Sequence, residues 1–301
     1  MWTKKDMPVQ SGKTVIITGA NTGIGYETAL AFYEAGAHVI LACRDMDKAE
    51  EAISRIKSQP GTGTLEPALL DLSDLKAVKQ FADSFLQSHT HLHTLVNNAG
   101  VMNVPEAVKT AEGYELQFGV NFLGHFALTG YLYPLLHATP GARVVTVSSM
   151  AYLRGIIDFG NLRSEKDYQP MREYARSKLA DLLFSLELHR RVIAKGGKVL
   201  SIAAQPGANK TDLTRHMREE DITAAIARVG PLMDPWQGAL PSLYAATSPD
   251  AHAGNLYEPD NGGYRGYPAL ATLKEGALDE DIAKKLWDWA EQATGIHYPQ
   301  S

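Results

Sequence analysis

Thr14-Val-Ile-Ile-Thr18 runs directly into Gly19-Ala-Asn-Thr-Gly23-Ile-Gly25, and this junction constrains the fold more than any other stretch. An unbroken β-branched run suits a strand covered on both faces, as in a parallel sheet. The glycines permit a tight turn, and Tyr26 to Ala35 then reads as a helix that Gly36 ends. Such a turn also lets the backbone approach a diphosphate, whose charge a helix N-terminus favours. The spacing is G-x-x-x-G-x-G, not the G-x-G-x-x-G of many dinucleotide sites. A plain turn would explain the glycines alone; a strand before and a helix after favour the nucleotide reading.

The alternation continues down the chain. Further strands are expected at His38 to Ala42, Leu65 to Leu70, Leu92 to Val96, Arg143 to Val147 and Lys198 to Ala203. Between them lie predicted helices at Asp47 to Ser58, Asp74 to Ser88 with Ser73 as N-cap, Gly113 to Leu136, and Tyr174 to Ala194. A last amphipathic helix is expected near Asp279 to Thr294. This pattern implies one α/β domain over 1–301, a doubly wound parallel sheet in three α/β/α layers. Leu153 to Pro170 and Thr211 to Pro235 break the alternation after strands, where an open sheet builds its site. The second is expected to form a substrate lid over about 209–236. A C-terminal extension over about 255–301 carries the loop Asn261 to Pro268.

Composition narrows the partners. Lys plus Arg is 29 and Asp plus Glu 34, a net charge of −5, so nucleic acid and anionic membrane surfaces are not expected. The single cysteine, Cys43, excludes an intrachain disulfide and suits a reducing, cytoplasmic setting. No apolar run follows the charged residues at the N-terminus, so neither a signal peptide nor a membrane anchor is expected.

Tyr174 and Lys178 stand four apart and share a helical face. A phenol ionises near pH ~10, and an ammonium one turn away favours the phenolate. The pair therefore suits proton exchange with an alcohol or carbonyl. The second strand ends Ala42-Cys43-Arg44-Asp45. An acid there would bind a ribose 2′-hydroxyl, whereas an arginine suits a 2′-phosphate. Arg44 favours NADP over NAD, although Asp45 could pair with Arg44 or turn to the ribose itself. Cys43 reads as a packed thiol.

These motifs together resemble the short-chain dehydrogenase/reductase family and its Rossmann fold. Thr18 to Gly25 is similar to its TGxxxGxG turn, Asn97-Asn98-Ala99-Gly100 to its NNAG, and Asn121 to its helical asparagine. Ser148-Ser149 resembles its serine motif, Tyr174/Lys178 its YxxxK, and Pro206-Gly207 to Thr211 its PGxxxT. Leu41 to Asp45, Asn161-Leu162 and Ala283 to Trp287 look like the retinol-dehydrogenase-like branch, which includes WW-domain oxidoreductases. The Ser149–Tyr174 gap is longer than in simpler members, and the Leu153–Pro170 loop can absorb it.

The resemblance implies hydride transfer between nicotinamide and the carbonyl or alcohol carbon of a small substrate. In it Ser149 holds the substrate oxygen, Tyr174 exchanges the proton, Lys178 tunes Tyr174 and holds the nicotinamide ribose, and Asn121 fixes a water. Ser148 is the lesser serine candidate. Gly19, Asn21, Thr22, Gly23, Ile24 and Gly25 would form the diphosphate turn, with Arg44 beyond it. Asp71 and Leu72 would flank adenine. Asn98, Ala99 and Gly100 would line the ribose path, Pro206 and Gly207 would contact the cofactor after the sixth strand, and Thr211 would contact the carboxamide or a phosphate. Leu72 could instead only pack, and Thr211 only cap a helix. Ile222, Ile226, Leu232, Met233 and Trp236 fit either a lipophilic pocket or lid packing, with Tyr264 or Tyr267 at the rim. A homodimer or homotetramer is the family habit. The rival class is a non-catalytic NADP-binding sensor or scaffold on the same fold. His89, His91 and His93 alternate, but they precede the fourth strand at the far end of the sheet. A solvated loop is expected there, and no metal site. Trp287 and Trp289 read as packing for the last helix.

Overall fold

The computed structural model describes residues 1–211, 213, 220, 223, 226–227 and 230–299. The first strands are β1 (Thr14–Thr18), β2 (His38–Cys43), β3 (Thr64–Leu69), β4 (Thr94–Asn97), β5 (Arg143–Val147) and β6 (Leu200–Ala204), of which β1 and β5 are the clearest β-branched runs. Two more follow, β7 (Leu256–Asn261) and β8 (Arg265–Leu270). The strand order is 3-2-1-4-5-6-7-8. Every pairing is parallel except that of β7 with β8. β1 therefore sits between β2 and β4, where the chain switches direction across the sheet. Clefts for ligands open at such a point, beyond the carboxyl ends of the strands.

The helices are α1 (Gly23–Glu34), α2 (Met46–Lys57), α3 (Leu75–Ser88), α4 (Gly124–Ala138), α5 (Pro170–Ala194), α6 (Pro235–Thr247) and α7 (Glu280–Thr294). They cover both faces of the sheet with two apolar layers. One layer joins Ile16, Ile40 and Leu95 to Phe81, Phe126 and Leu183. The other joins Val15, Ile17 and Val96 to Phe32, Ile53 and Leu243. Neighbouring residues of β1 thus point to opposite layers, as the pleat dictates.

The structure corrects four expectations. Gly113 to Leu136 is not one helix: a turn at Leu116–Phe118 leads into a π-helical turn at Gly119–Leu123 and then α4. The N-cap of α3 is Asp74, whose carboxylate accepts from Lys76 N at 2.8 Å, while the Ser73 hydroxyl donates to Asp71 instead. Asn261 to Pro268 is largely a hairpin, with β8 antiparallel to β7, because Gly262 and Gly263 supply the positive φ of a tight turn. Helix α6 was not foreseen, since Pro235 reads as a breaker although proline suits a first helical turn. Part of the expected lid, Ile222 included, lies outside the described residues. Trp287 is buried against Phe126, Phe184 and Tyr298, the expected packing role.

Candidate active site

The carboxyl end of β1 delivers Thr18 and the glycine turn to the N-terminus of α1. Gly19 and Gly23 both take positive φ, 66° and 56°. A methyl group at Gly25 would lie 2.3 Å from the Gly19 carbonyl oxygen and 2.5 Å from Asn98 Nδ2, so only glycine fits there. This is the close, side-chain-free cradle that a dinucleotide diphosphate requires at a helix N-terminus. The Cys43 thiol, at the end of β2, is buried, and burial pushes it up to about 11 against the opposing pull of the Ala20 and Asn21 backbone. It is a packed thiol, as expected. Asn21 and Ile24 are half-buried, and Thr22 is exposed.

Arg44 follows at the strand end, exposed. Asp45 does not pair with Arg44 in this structure: its carboxylate accepts from Lys48 N at 3.1 Å and caps α2. That hydrogen bond holds its carboxyl below the usual range. Arg44 makes no hydrogen bond or ion pair among the described residues. Asp71 Oδ1 turns to the Ser73 backbone and hydroxyl. Leu72 is buried in the core, so its side chain packs.

Past β4, Asn98 Nδ2 donates to Thr18 O at 2.8 Å, and the backbone N–H groups of Asn98 and Ala99 both donate to Thr18 Oγ1 at 2.9 Å. Gly100 marks a convergence: a methyl there would lie 3.4 Å from Asn121 Oδ1 and 3.7 Å from Lys178 Nζ. Asn121 occupies the π-helical turn, a local insertion that often accompanies functional sites. Its side chain accepts from Val101 N at 2.8 Å and donates to Val101 O at 3.0 Å and to Ser177 Oγ at 2.9 Å.

Helix α5 carries the proton-exchanging pair. Tyr174 is 3% exposed, and its phenol oxygen makes no hydrogen bond among the described residues. Lys178 Nζ lies 6.0 Å from the centre of the Tyr174 ring. It donates to Val147 O at 3.0 Å and to Asp181 Oδ2 at 2.8 Å. Burial alone would lower the Lys178 ammonium, but the Asp181 charge and hydrogen bond, with Tyr174, carry it above an ordinary lysine. The bond to Val147 places the lysine at the end of β5, next to Ser148 and Ser149. These two serines divide as the pleat suggests. Ser148 is buried and donates to Lys178 O at 2.7 Å. Ser149 is half-buried and its oxygen accepts from Ala151 N at 3.2 Å, which leaves the hydroxyl proton free to donate.

Gly207 follows β6 with φ 73°. Its N–H donates to the buried side chain of Gln205 at 2.8 Å, which in turn donates to Glu258 and to Gly263 O. Pro206 is half-buried beside it. Thr211 reaches the cofactor turn, since a methyl on Gly23 would lie 3.4 Å from Thr211 Cγ2.

Three residues of this site escaped the sequence reading. His125 is fully buried; its Nδ1 donates to Asn121 O at 2.7 Å and its Nε2 meets Thr18 Oγ1 at 2.8 Å. Burial holds its imidazole down at about 3, so it is neutral and bridges two elements. Ser177 donates to Tyr174 O at 2.8 Å. An unbroken relay thus runs from Thr18 through His125, Asn121 and Ser177 to the Tyr174 backbone. Asp181 is the third. Helical spacing offered a signal for all three, since His125 stands four after Asn121, Ser177 three after Tyr174 and Asp181 three after Lys178.

Residues 13–222 match the sequence pattern of the short chain dehydrogenases. The chain belongs to the short-chain dehydrogenase/reductase family. Retinol dehydrogenase 14 of Mus musculus is 40% identical over 304 residues, covering 97% of this chain and 88% of that protein. The chain is thus a short-chain dehydrogenase/reductase of the retinol-dehydrogenase-like branch. A crystal structure of an uncharacterised protein from Mycobacterium paratuberculosis is similar with TM-score 0.84, at 38% identity and 99% coverage of both chains. A Beutenbergia cavernae protein described as an NAD(P)-dependent gluconate 5-dehydrogenase, solved with NADP, is similar with TM-score 0.68 and 26% identity, covering 83% of this chain and 96% of that one. This family member is therefore an oxidoreductase that uses a nicotinamide cofactor on a small molecule. Among the described residues no helix is long and apolar enough to cross a membrane.

Proposed function

We propose that this oxidoreductase uses NADP(H) to interconvert the carbonyl and alcohol forms of a small, lipophilic substrate. The observation that carries the reading is the set formed by Ser149, Tyr174 and Lys178, each with the atom its role needs left available or fixed. When bound, the nicotinamide supplies or accepts the hydride. Ser149 donates to the substrate oxygen and stabilises the charge that develops there. In the reduction, the Tyr174 phenol gives its proton to that oxygen; in the oxidation it takes the proton back. The Lys178 ammonium, fixed by Val147 and Asp181, offsets negative charge developing on the phenol oxygen and keeps donor capacity for the nicotinamide ribose. Asn121 and His125 act by position, holding the tyrosine helix in register with the glycine turn.

Arg44 supports NADP over NAD. Its guanidinium is exposed at the end of β2, where it suits a 2′-phosphate, and the neighbouring acid is spent on capping α2. Two observations support a lipophilic substrate. Within the expected lid Ile226 is 39% exposed, and at its end Trp236 is 47% exposed. The named relative is a retinol dehydrogenase, and retinol is a lipophilic alcohol. Met233, by contrast, is buried and packs near Gly207.

The test is NADPH oxidation across aldehydes and ketones graded by chain length, beside fluorescence titration of NADPH and NADH. Turnover rising with apolar length, and tighter binding of NADPH, are expected. Tight NADPH binding without turnover across the panel would instead favour a cofactor-binding sensor.

A further inference from the structure

At the opposite end of the sheet, three side chains from three elements meet. His38 opens β2, and Glu66 lies on β3 opposite Ile40 in the parallel register. Side chains two apart on a strand share a face, so His38, Ile40, Thr64 and Glu66 all face the layer covered by α3. His89 caps the C-terminal end of α3. The His38 and His89 Nε2 atoms stand 3.3 Å apart. Glu66 Oε2 lies 3.3 Å from the first and 3.5 Å from the second.

Neither ring is loosely held. His38 Nδ1 meets Thr64 Oγ1 at 2.7 Å, and Thr64 is its register partner on β3. The His89 ring stacks on Phe85 with centroids 4.2 Å apart. Its Nδ1 meets Ser88 Oγ at 2.9 Å and Phe85 O at 3.3 Å. A carbonyl accepts only, so that contact places the proton on Nδ1 and leaves the Nε2 lone pair unprotonated. Metal-ligating histidines are commonly oriented in this way, by a carbonyl or hydroxyl on the other ring nitrogen.

The geometry points to a divalent transition-metal site, of the zinc class, formed by His38, Glu66 and His89. Zinc binds imidazole nitrogen at about 2.0–2.1 Å and carboxylate oxygen at about 2.0–2.2 Å, usually as a tetrahedron. Ligand atoms at those radii stand roughly 3.3–3.5 Å apart, as tetrahedral geometry requires. The three observed separations fall in that range. Two imidazoles and one carboxylate suit zinc better than magnesium or calcium, which prefer oxygen ligands throughout. The His38 and Glu66 side chains are 32% and 44% exposed, so water completes the fourth position. His91 and His93 are not part of it. His93 Nδ1 accepts from Thr14 N, and His91 stacks on His93. The ion would tie the edge strand β3 and β2 to the end of α3, beyond the amino ends of the strands and away from the cofactor turn. Its role is therefore to stabilise the fold rather than to take part in hydride transfer.

The full-length chain, stripped with chelator, is titrated with Zn2+ by calorimetry and with Co2+ by visible absorption. One ion per chain is expected, with the d–d bands of four-coordinate Co2+ and a melting temperature that rises on metal addition. His89→Gln and Glu66→Gln should each weaken binding by about tenfold or more, and Thr64→Val should weaken it as a loss of ring orientation. His91→Gln should leave it unchanged. NADPH binding should persist in Glu66→Gln, whose exposed carboxylate is the replacement least able to disturb folding. Absence of stoichiometric metal, or equal affinity in the His38→Gln/His89→Gln double variant, would overturn the assignment whatever the enzyme's substrate proves to be.

Discussion

Lys178 Nζ and Asp181 Oδ2 form a buried ion pair 2.8 Å long, with side chains 5% and 2% exposed. The second Asp181 oxygen is buried without a hydrogen-bond partner among the described residues. Burial therefore pushes the Asp181 carboxyl up to about 6, against the opposing pull of Lys178. A carboxyl raised above its ordinary 3.8 stabilises the fold fully below that value, and the contribution is lost as pH rises through about 6. In that window the native chain holds a proton that the unfolded chain has released.

Asp181→Asn removes this dependence. Relative to the parent, the variant should gain stability as pH rises from about 4 to about 6, on top of a constant offset from replacing the neutral carboxyl beside Lys178 with an amide. Urea unfolding of both proteins across that range measures the difference. Parallel stability curves would show that Asp181 does not titrate there.

Arg44→Ala should weaken NADPH binding and leave NADH nearly unchanged. A hydrogen bond to a charged group contributes about 1.5–3 kcal/mol, which is roughly a ten- to hundredfold change in dissociation constant. Fluorescence titration of both nucleotides reads it. An equal loss for both would mean that Arg44 does not discriminate between them.

The two adjacent serines separate in a direct comparison. Ser149→Ala should lower turnover by about 10²–10³-fold, as loss of one oxyanion donor does, with little change in melting temperature. Ser148→Ala deletes a buried hydrogen bond to Lys178 O and should cost about 1 kcal/mol of stability, with a smaller effect on turnover. The reverse pattern would reassign the substrate contact to Ser148.

The parts of this molecule set by local pattern were legible beforehand. β5 was bounded as observed because Arg143-Val-Val-Thr-Val147 is a short buried run between breakers. The glycine turn, the burial of Ser148 beside a half-buried Ser149 and the packed Cys43 follow from pleat and burial. What escaped depends on contacts distant in the chain. His125 matters only because α4 sets it beside Thr18, 107 positions away. The π-helical turn at Asn121 leaves no composition signal, since a single extra residue in a helix has none. The hairpin of β7 and β8 was hidden by Pro259 and Pro268: Pro268 lies on the edge strand β8, and Pro259 lies beyond the two residues by which β7 pairs with β6, next to a break in its register with β8. His38 and Glu66 looked ordinary until the strand register placed them near His89.

The claim that Tyr174 exchanges the proton is tested most directly by Tyr174→Phe. NADPH oxidation is followed with a carbonyl substrate that the parent accepts, and NADPH binding is titrated on the same preparation. The account predicts turnover lower by about 10²–10⁴-fold, the usual contribution of a positioned acid, with NADPH affinity within a few-fold of the parent. Undiminished turnover in the variant would contradict it.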